Sequence, residues 1–312
     1  MPAVRPQLVK RVFLPPYTAS GAKTFAFVLN GNAISIRDNV IRPALGNNYD
    51  TVAGGLFMLS WVKYAGFSSQ NATDSARGKF AFKESALAVL VKDQAQNQYI
   101  YIPSLYLDSD APELTGREVY GFPKVAGRVT IPSSTKVATG THLTTYSREV
   151  QNYTTPPVSP VDTLVYEAWA SNPLAGGPLD VFDLIEDAFD EISSIFETSA
   201  GGDLESVMTF LRTFLMFQKP LIFIKQLPSC AIGSAGQATS LHEVKANFAL
   251  IGLPTINPLD MLKTYQVRIM DSPSAPLASA FGVTPGAQLT PLAAVEATLS
   301  YTLGHGTETV IP

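Results

Sequence analysis

The chain is short of charge, cysteine and histidine. Only 15% of its 312 residues are Asp, Glu, Lys or Arg, against about 25% in an ordinary globular domain, so much of its surface must be buried or mutually covered. A single cysteine, Cys230, excludes an intrachain disulfide. It sits between LPS and AIGSAG with no patterned histidine nearby, the setting of an inert thiol. The three histidines, His142, His242 and His305, stand far apart and at no ligand spacing. There is no GxGxxG after a strand, no GKS or GKT loop, no HExxH and no CxxC pair, so neither a metal nor another cofactor is implied. A net charge of -4 without a dense basic run argues against nucleic acid as a partner. No run of about 20 apolar residues occurs, and MPAVRPQLVKRVFLPPYTAS lacks the h-region and cleavage site of a secretory signal. A soluble, cytoplasmic protein with no membrane partner is expected.

What is present is β-rich. KFAFKESALAVLVKDQAQNQYIYIPSLYL, residues 79–107, reads as strand, polar loop, strand. Similar runs occur at 24–36, 54–66, 127–132, 139–146, 162–170, 219–225, 239–252 and 264–270. Many short strands punctuated by Pro and Gly suggest a sheet closed on itself or two packed sheets. One region departs from this pattern. LDVFDLIEDAFDEISSIF places apolar residues at helical spacing opposite Asp183, Glu186, Asp187, Asp190 and Glu191, a solvated acidic face, and LESVMTFLRTFLMFQ carries a second apolar face. The two predict a helical hairpin inserted at about 179–218. The fold class expected is α+β, a single domain over residues 1–312.

YIPSLYLDSDAPELTGREVYGFPK, residues 101–124, carries Tyr106-Leu107-Asp108, then Gly116-Arg117-Glu118, then Phe122-Pro123-Lys124. In order and spacing this composite resembles the acetoacetate decarboxylase family. FAFKESALAVLV, holding Glu84, and the segment from PLIFIKQLPSC to DSPSAPL are similar to further parts of that family, so the likeness spans most of residues 24–282. The resemblance implies a β-rich, cone-like antiparallel barrel with peripheral helices, and a homo-oligomer. It also implies that Lys124 matches the Schiff-base lysine and Glu84 the acid-base carboxylate. The further residues expected at the substrate are Arg117, Glu118, Phe122, Val125, Asn30 and Tyr106.

A neutral amine attacks a ketone, dehydration gives an iminium, and that cation withdraws electrons from the adjacent carbon bond. A lysine with a pKa of about 10.4 is neutral in roughly one molecule in 2,500 at pH 7. Desolvation or a neighbouring cation activates such a lysine, acetoacetate decarboxylase itself being an example. Many family members place a second lysine after the first, whereas this chain has Val125. Desolvation among Phe122, Pro123, Val125 and Ala126 is then the route visible in the sequence. The family's early strand also carries an arginine, and an ungapped comparison sets Asn30 there, with Arg37 and Arg117 elsewhere. A guanidinium can grip a carboxylate bidentately, and an asparagine cannot.

The function expected is a Schiff-base-forming lyase acting on a small ketone or keto acid, similar to a β-keto acid decarboxylase. An aldolase-dehydratase using the same lysine is one alternative, and a non-catalytic binding or scaffold protein that kept the fold is another.

Overall fold

The computed structural model describes residues 12–76, 78–132, 142–149, 161–172, 204–228, 238–258 and 264–311. Among the described residues thirteen strands run in chain order: β1 (Tyr17–Asn30), β2 (Tyr49–Thr51), β3 (Leu56–Ser69), β4 (Phe80–Asp93), β5 (Gln98–Leu107), β6 (Lys124–Thr130), β7 (Leu143–Glu149), β8 (Val161–Asn172), β9 (Leu221–Pro228), β10 (Ala238–Leu250), β11 (Thr255–Pro258), β12 (Thr264–Ile269) and β13 (Ala293–Ile311). The expected β-rich α+β architecture is present as one large mixed sheet.

Its pairings close on themselves. β5 bonds to β4 along one edge; along the other it bonds to β9 through Ile100 and Tyr101 and to β6 through Leu105–Leu107. From β9 the ladder continues through β10, β13, β1 and β3 back to β4. The result is a ring of seven strands, and β6–β7–β8–β12 branches away from it at β5. All described pairings are antiparallel except β5–β6 and β5–β9, two exceptions to the expected antiparallel order.

Side chains of the ring strands alternate between two buried clusters, as a strand's period of two requires. One cluster collects residues from all seven strands, among them Ala26, Tyr64, Ala88, Leu105, Phe223, Ala246 and Leu299. Small residues such as Ala22, Ala26, Ala86, Ala88, Ala246 and Ala297 let a narrow ring close around larger neighbours. The other cluster joins Phe25, Phe27, Trp61, Leu87 and Val89 of the ring wall to Val129, Val165, Tyr166 and Val267 of the branching strands. Trp61 Nε1 donates to Thr145 Oγ1 at 3.0 Å, and Thr145 donates to Ser85 Oγ at 2.8 Å, tying the branching strands to the ring wall.

The strand expected over 24–36 ends at Asn30. The Asn32 side chain accepts from Ser35 N–H at 3.0 Å and starts a helical segment over residues 33–45, whose Ile36, Val40, Ile41 and Leu45 are buried. The second arm of the predicted hairpin is the Leu204–Leu215 helix, whose Val207, Phe210, Leu211 and Phe214 join the cluster of the seven strands. The first arm, with its acidic face, and Cys230 lie outside the described residues. No helix among the described residues is long and apolar enough to cross a membrane.

Candidate active site

The GREVYGFPK stretch is a helix end, a turn and a strand start. The Asp110–Tyr120 helix has Asp110 and Glu113 in its first turn and Arg117 in its last, the charge order its dipole favours. It stops at Gly121, whose φ of +76° only glycine adopts without strain. Gly121 N–H donates to the Arg117 carbonyl at 3.1 Å and Phe122 N–H to that of Gly116 at 3.2 Å. A Cβ on Gly121 would also lie 2.6 Å from Lys225 Cα of β9. Beyond the Phe122-Pro123 turn, Lys124 is the first residue of β6, held opposite Leu105 by the parallel β5 ladder.

That placement turns the Lys124 side chain inward. It is 9% exposed, as is Glu84 on β4, and Nζ lies 3.7 Å from Glu84 Oε2, within ion-pair reach but too far for a hydrogen bond. The Phe82 and Phe122 rings lie 5.7 and 5.3 Å from the amine. The lysine tail crosses the helix at Gly116, where a Cβ would come within 2.6 Å of Lys124 Cδ and Cε. Burial lowers the Lys124 pKa below its ordinary 10.5, while the charges of Glu84 and, more weakly, Glu113 oppose the shift.

Lys124 and Glu84 open into a cavity of about 70 Å³, walled by aromatic residues that include Tyr17, Tyr64, Phe80, Phe82, Tyr120, Phe122 and Tyr301. Tyr64 O–H donates to Glu84 Oε1 at 2.8 Å, and its oxygen lies 2.7 Å from the Tyr301 hydroxyl. Burial raises the pKa of both phenols well above 10, the nearby Glu84 charge adding to it.

Of the residues expected at the substrate, the structure brings Lys124, Glu84 and Phe122 together. The other five lie elsewhere. Val125 points outward at 44% exposure, so it does not keep the amine dry; Phe82 and Phe122 do. Arg117 and Glu118 are on the exposed side of their helix, where Arg117 pairs with Glu113 at 3.4 Å. Tyr106 packs into the outer cluster beside Tyr166. Asn30 is exposed at the end of β1 opposite Tyr17, the residue of that strand that lines the cavity. Sequence reasoning missed Tyr64, Tyr301 and the space left by Gly116. Strand parity with Phe82 and Glu84 was the available signal for Tyr64, which faces Phe82 across the β3–β4 ladder.

Residues 51–157, which include Glu84 and Lys124, match the family model described as acetoacetate decarboxylase. No curated protein sequence matches the chain significantly. Among solved structures, acetoacetate decarboxylase from Legionella pneumophila superposes with a TM-score of 0.60 at 14% identity, over 100% of this chain and 92% of that one. An acetoacetate decarboxylase-like enzyme from Sphingomonas wittichii gives 0.58 at 12% identity, over 98% and 96% of the two chains. The enduracididine biosynthesis enzyme MppR, complexed with the condensation product of pyruvate and imidazole 4-carboxaldehyde, gives 0.51 at 14% identity, over 96% and 92%. Residues 51–157 thus match the acetoacetate decarboxylase family model, and the chain shares the fold of these enzymes along nearly its whole length.

Proposed function

We propose that this protein is a lyase that forms a Schiff base between Lys124 and a small ketone or keto acid. One observation carries the reading: a buried primary amine, its pKa lowered by burial, stands 3.7 Å from a buried carboxylate in an aromatic-walled cavity. Burial favours the neutral amine that can attack a carbonyl carbon. Addition gives a carbinolamine, and loss of water gives an iminium. Electrons from the bond between the α-carbon and its leaving group then flow into that iminium, giving an enamine and either carbon dioxide or a proton. Glu84 lies where it can supply the proton for water loss and exchange the one at carbon.

The cavity volume of about 70 Å³ favours a substrate of only a few carbons. An aldolase-dehydratase reaction is the second reading. It uses the same iminium and enamine, and the cavity-lining residues among those described include no arginine to hold a carboxylate. MppR, which holds a pyruvate condensation product, has the same fold.

Intact-mass measurement after borohydride reduction with pyruvate or acetoacetate tests the proposal. The wild type is expected to gain the reduced adduct and Lys124→Ala to gain none. An adduct of equal yield on Lys124→Ala would remove the assignment. Carbon dioxide release from acetoacetate then separates decarboxylation from carbon-carbon condensation.

A further inference from the structure

The three oxygens of Glu84, Tyr64 and Tyr301 form a chain whose direction is fixed by counting protons. An ionised carboxylate only accepts, and a phenol has one proton to give. Tyr64 gives its proton to Glu84 Oε1, so in the 2.7 Å contact between the two phenols Tyr301 must be the donor. The chain therefore runs from Tyr301 through Tyr64 to Glu84. It occupies Oε1 and leaves Oε2 as the oxygen beside Lys124 Nζ.

We infer that Tyr64 is the positioning residue for Glu84, fixing Oε2 as the oxygen that exchanges protons with the substrate carbon, and that Tyr301 sets the direction of the Tyr64 hydroxyl. This rests on the reading of Lys124 and Glu84 as the reacting pair. Tyr64 is well placed for the task because its ring is clamped, stacked on Phe82 at 4.4 Å and edge-on to Phe67 at 5.7 Å. A clamped phenol holds a carboxylate at little entropic cost. Both phenols are also poor acids in this setting, burial having raised their pKa values, so each keeps its proton. While Glu84 is ionised, neither has a proton free for the substrate. In the step that the chain serves, the α-carbon of the iminium loses a proton to Oε2. The electron pair of that C–H bond forms the enamine double bond, and the iminium nitrogen takes up the π pair.

Acetone in deuterium oxide is the probe, since at neutral pH its methyl protons exchange only slowly through the enol, a background rate measured without protein and subtracted, and such an enamine speeds the exchange. Two rates are measured for the wild type, Tyr64→Phe and Tyr301→Phe: borohydride-trapped adduct by intact mass, and methyl deuteration by NMR. Thermal unfolding checks that each variant is folded. Tyr64→Phe keeps the ring and is expected to retain the adduct while losing about 10- to 100-fold in exchange, the effect of one hydrogen bond to a charged group. Tyr301→Phe, which leaves Tyr64 donating but without its own donor, is expected to retain the adduct and lose only a few-fold in exchange. Exchange in Tyr64→Phe within twofold of wild type would overturn the inference. Equal losses of adduct and exchange would also overturn it, since Tyr64 would then be shaping the cavity rather than Glu84. If Tyr64→Phe does not fold, unaltered exchange in Tyr301→Phe contradicts the chain by itself. A wild type that forms no adduct fails the reading of Lys124, whereas an adduct without exchange removes the role given to Glu84.

Discussion

At Lys124 two effects oppose one another, and desolvation exceeds the attraction of Glu84, leaving the amine less basic than an ordinary lysine. Between the lowered folded value and the ordinary 10.5, the unfolded chain binds more protons than the folded one. Stability from this group therefore rises with pH across that window, and the cost of burying the ammonium is felt in full below it. Under the proposed function the same titration governs the chemistry. Borohydride trapping of a fixed ketone should rise with pH and reach half-maximum below 10.5. Phe122→Ser, which admits water beside the amine, should move that midpoint upward, while Val125→Ser should leave it unchanged because Val125 faces outward. A midpoint at the ordinary lysine value would remove the desolvation account. For Glu84→Gln, steady-state assays should find turnover lower by about 10² to 10⁴ with slow adduct formation retained, the usual loss for a positioned acid-base group. The proposed reacting pair was legible in the sequence, Lys124 through a composite motif and Glu84 through a further similar segment. Its surroundings were not: a motif lists residues along the chain, and Val125, Tyr106, Arg117 and Glu118 are neighbours in sequence that fall on other faces.

The Asp110–Tyr120 helix and the start of β6 act as one device for aiming the lysine. Gly116 leaves the groove in which the lysine tail lies, and Gly121 ends the helix where β9 passes closest. Gly116→Ala should therefore leave a folded protein whose amine is displaced, with borohydride trapping lost and the melting temperature little changed. Gly121→Ala should act on stability instead. A left-handed conformation costs a non-glycine residue roughly 1–2 kcal/mol, and contact with the Lys225 backbone adds to that, so denaturant titration should find a loss of about 2 kcal/mol or more. Equal stability of the Gly121→Ala variant would contradict the packing described. Strand period makes some of this readable: adjacent strand residues such as Lys83 and Glu84 fall on opposite faces, and Lys83 pairs with Asp108 at 3.4 Å, away from the cavity. The helix was harder to read because Pro112, Gly116 and Gly121 resemble turn punctuation within so short a span. β13 was missed although Val295, Ala297, Leu299, Tyr301 and Leu303 alternate inward, because small and polar residues between them dilute the apolar signal.

Over the whole molecule, the sequence pointed to a sheet closed on itself or two packed sheets, and the structure combines the two: a closed ring whose outer wall carries a second layer. Nothing local in the sequence reports the closure, which depends on Ile100 and Tyr101 meeting Leu221 and Ile222 some 120 residues later in the chain. The two layers meet at Trp61 and Thr145. Trp61→Ala should cost about 3–5 kcal/mol, read as a lower denaturation midpoint, through a position that does not line the cavity. This architecture places one amine beside one carboxylate in an aromatic-walled cavity, and the central claim of the proposed function is that this amine reacts with a ketone. The most direct test of that claim is peptide mapping by tandem mass spectrometry after borohydride reduction of the wild-type protein with acetone at neutral pH. The account predicts the adduct on the peptide containing Lys124, with solvated lysines such as Lys63 and Lys83 unmodified. Adducts spread over surface lysines, with none at Lys124, would contradict it.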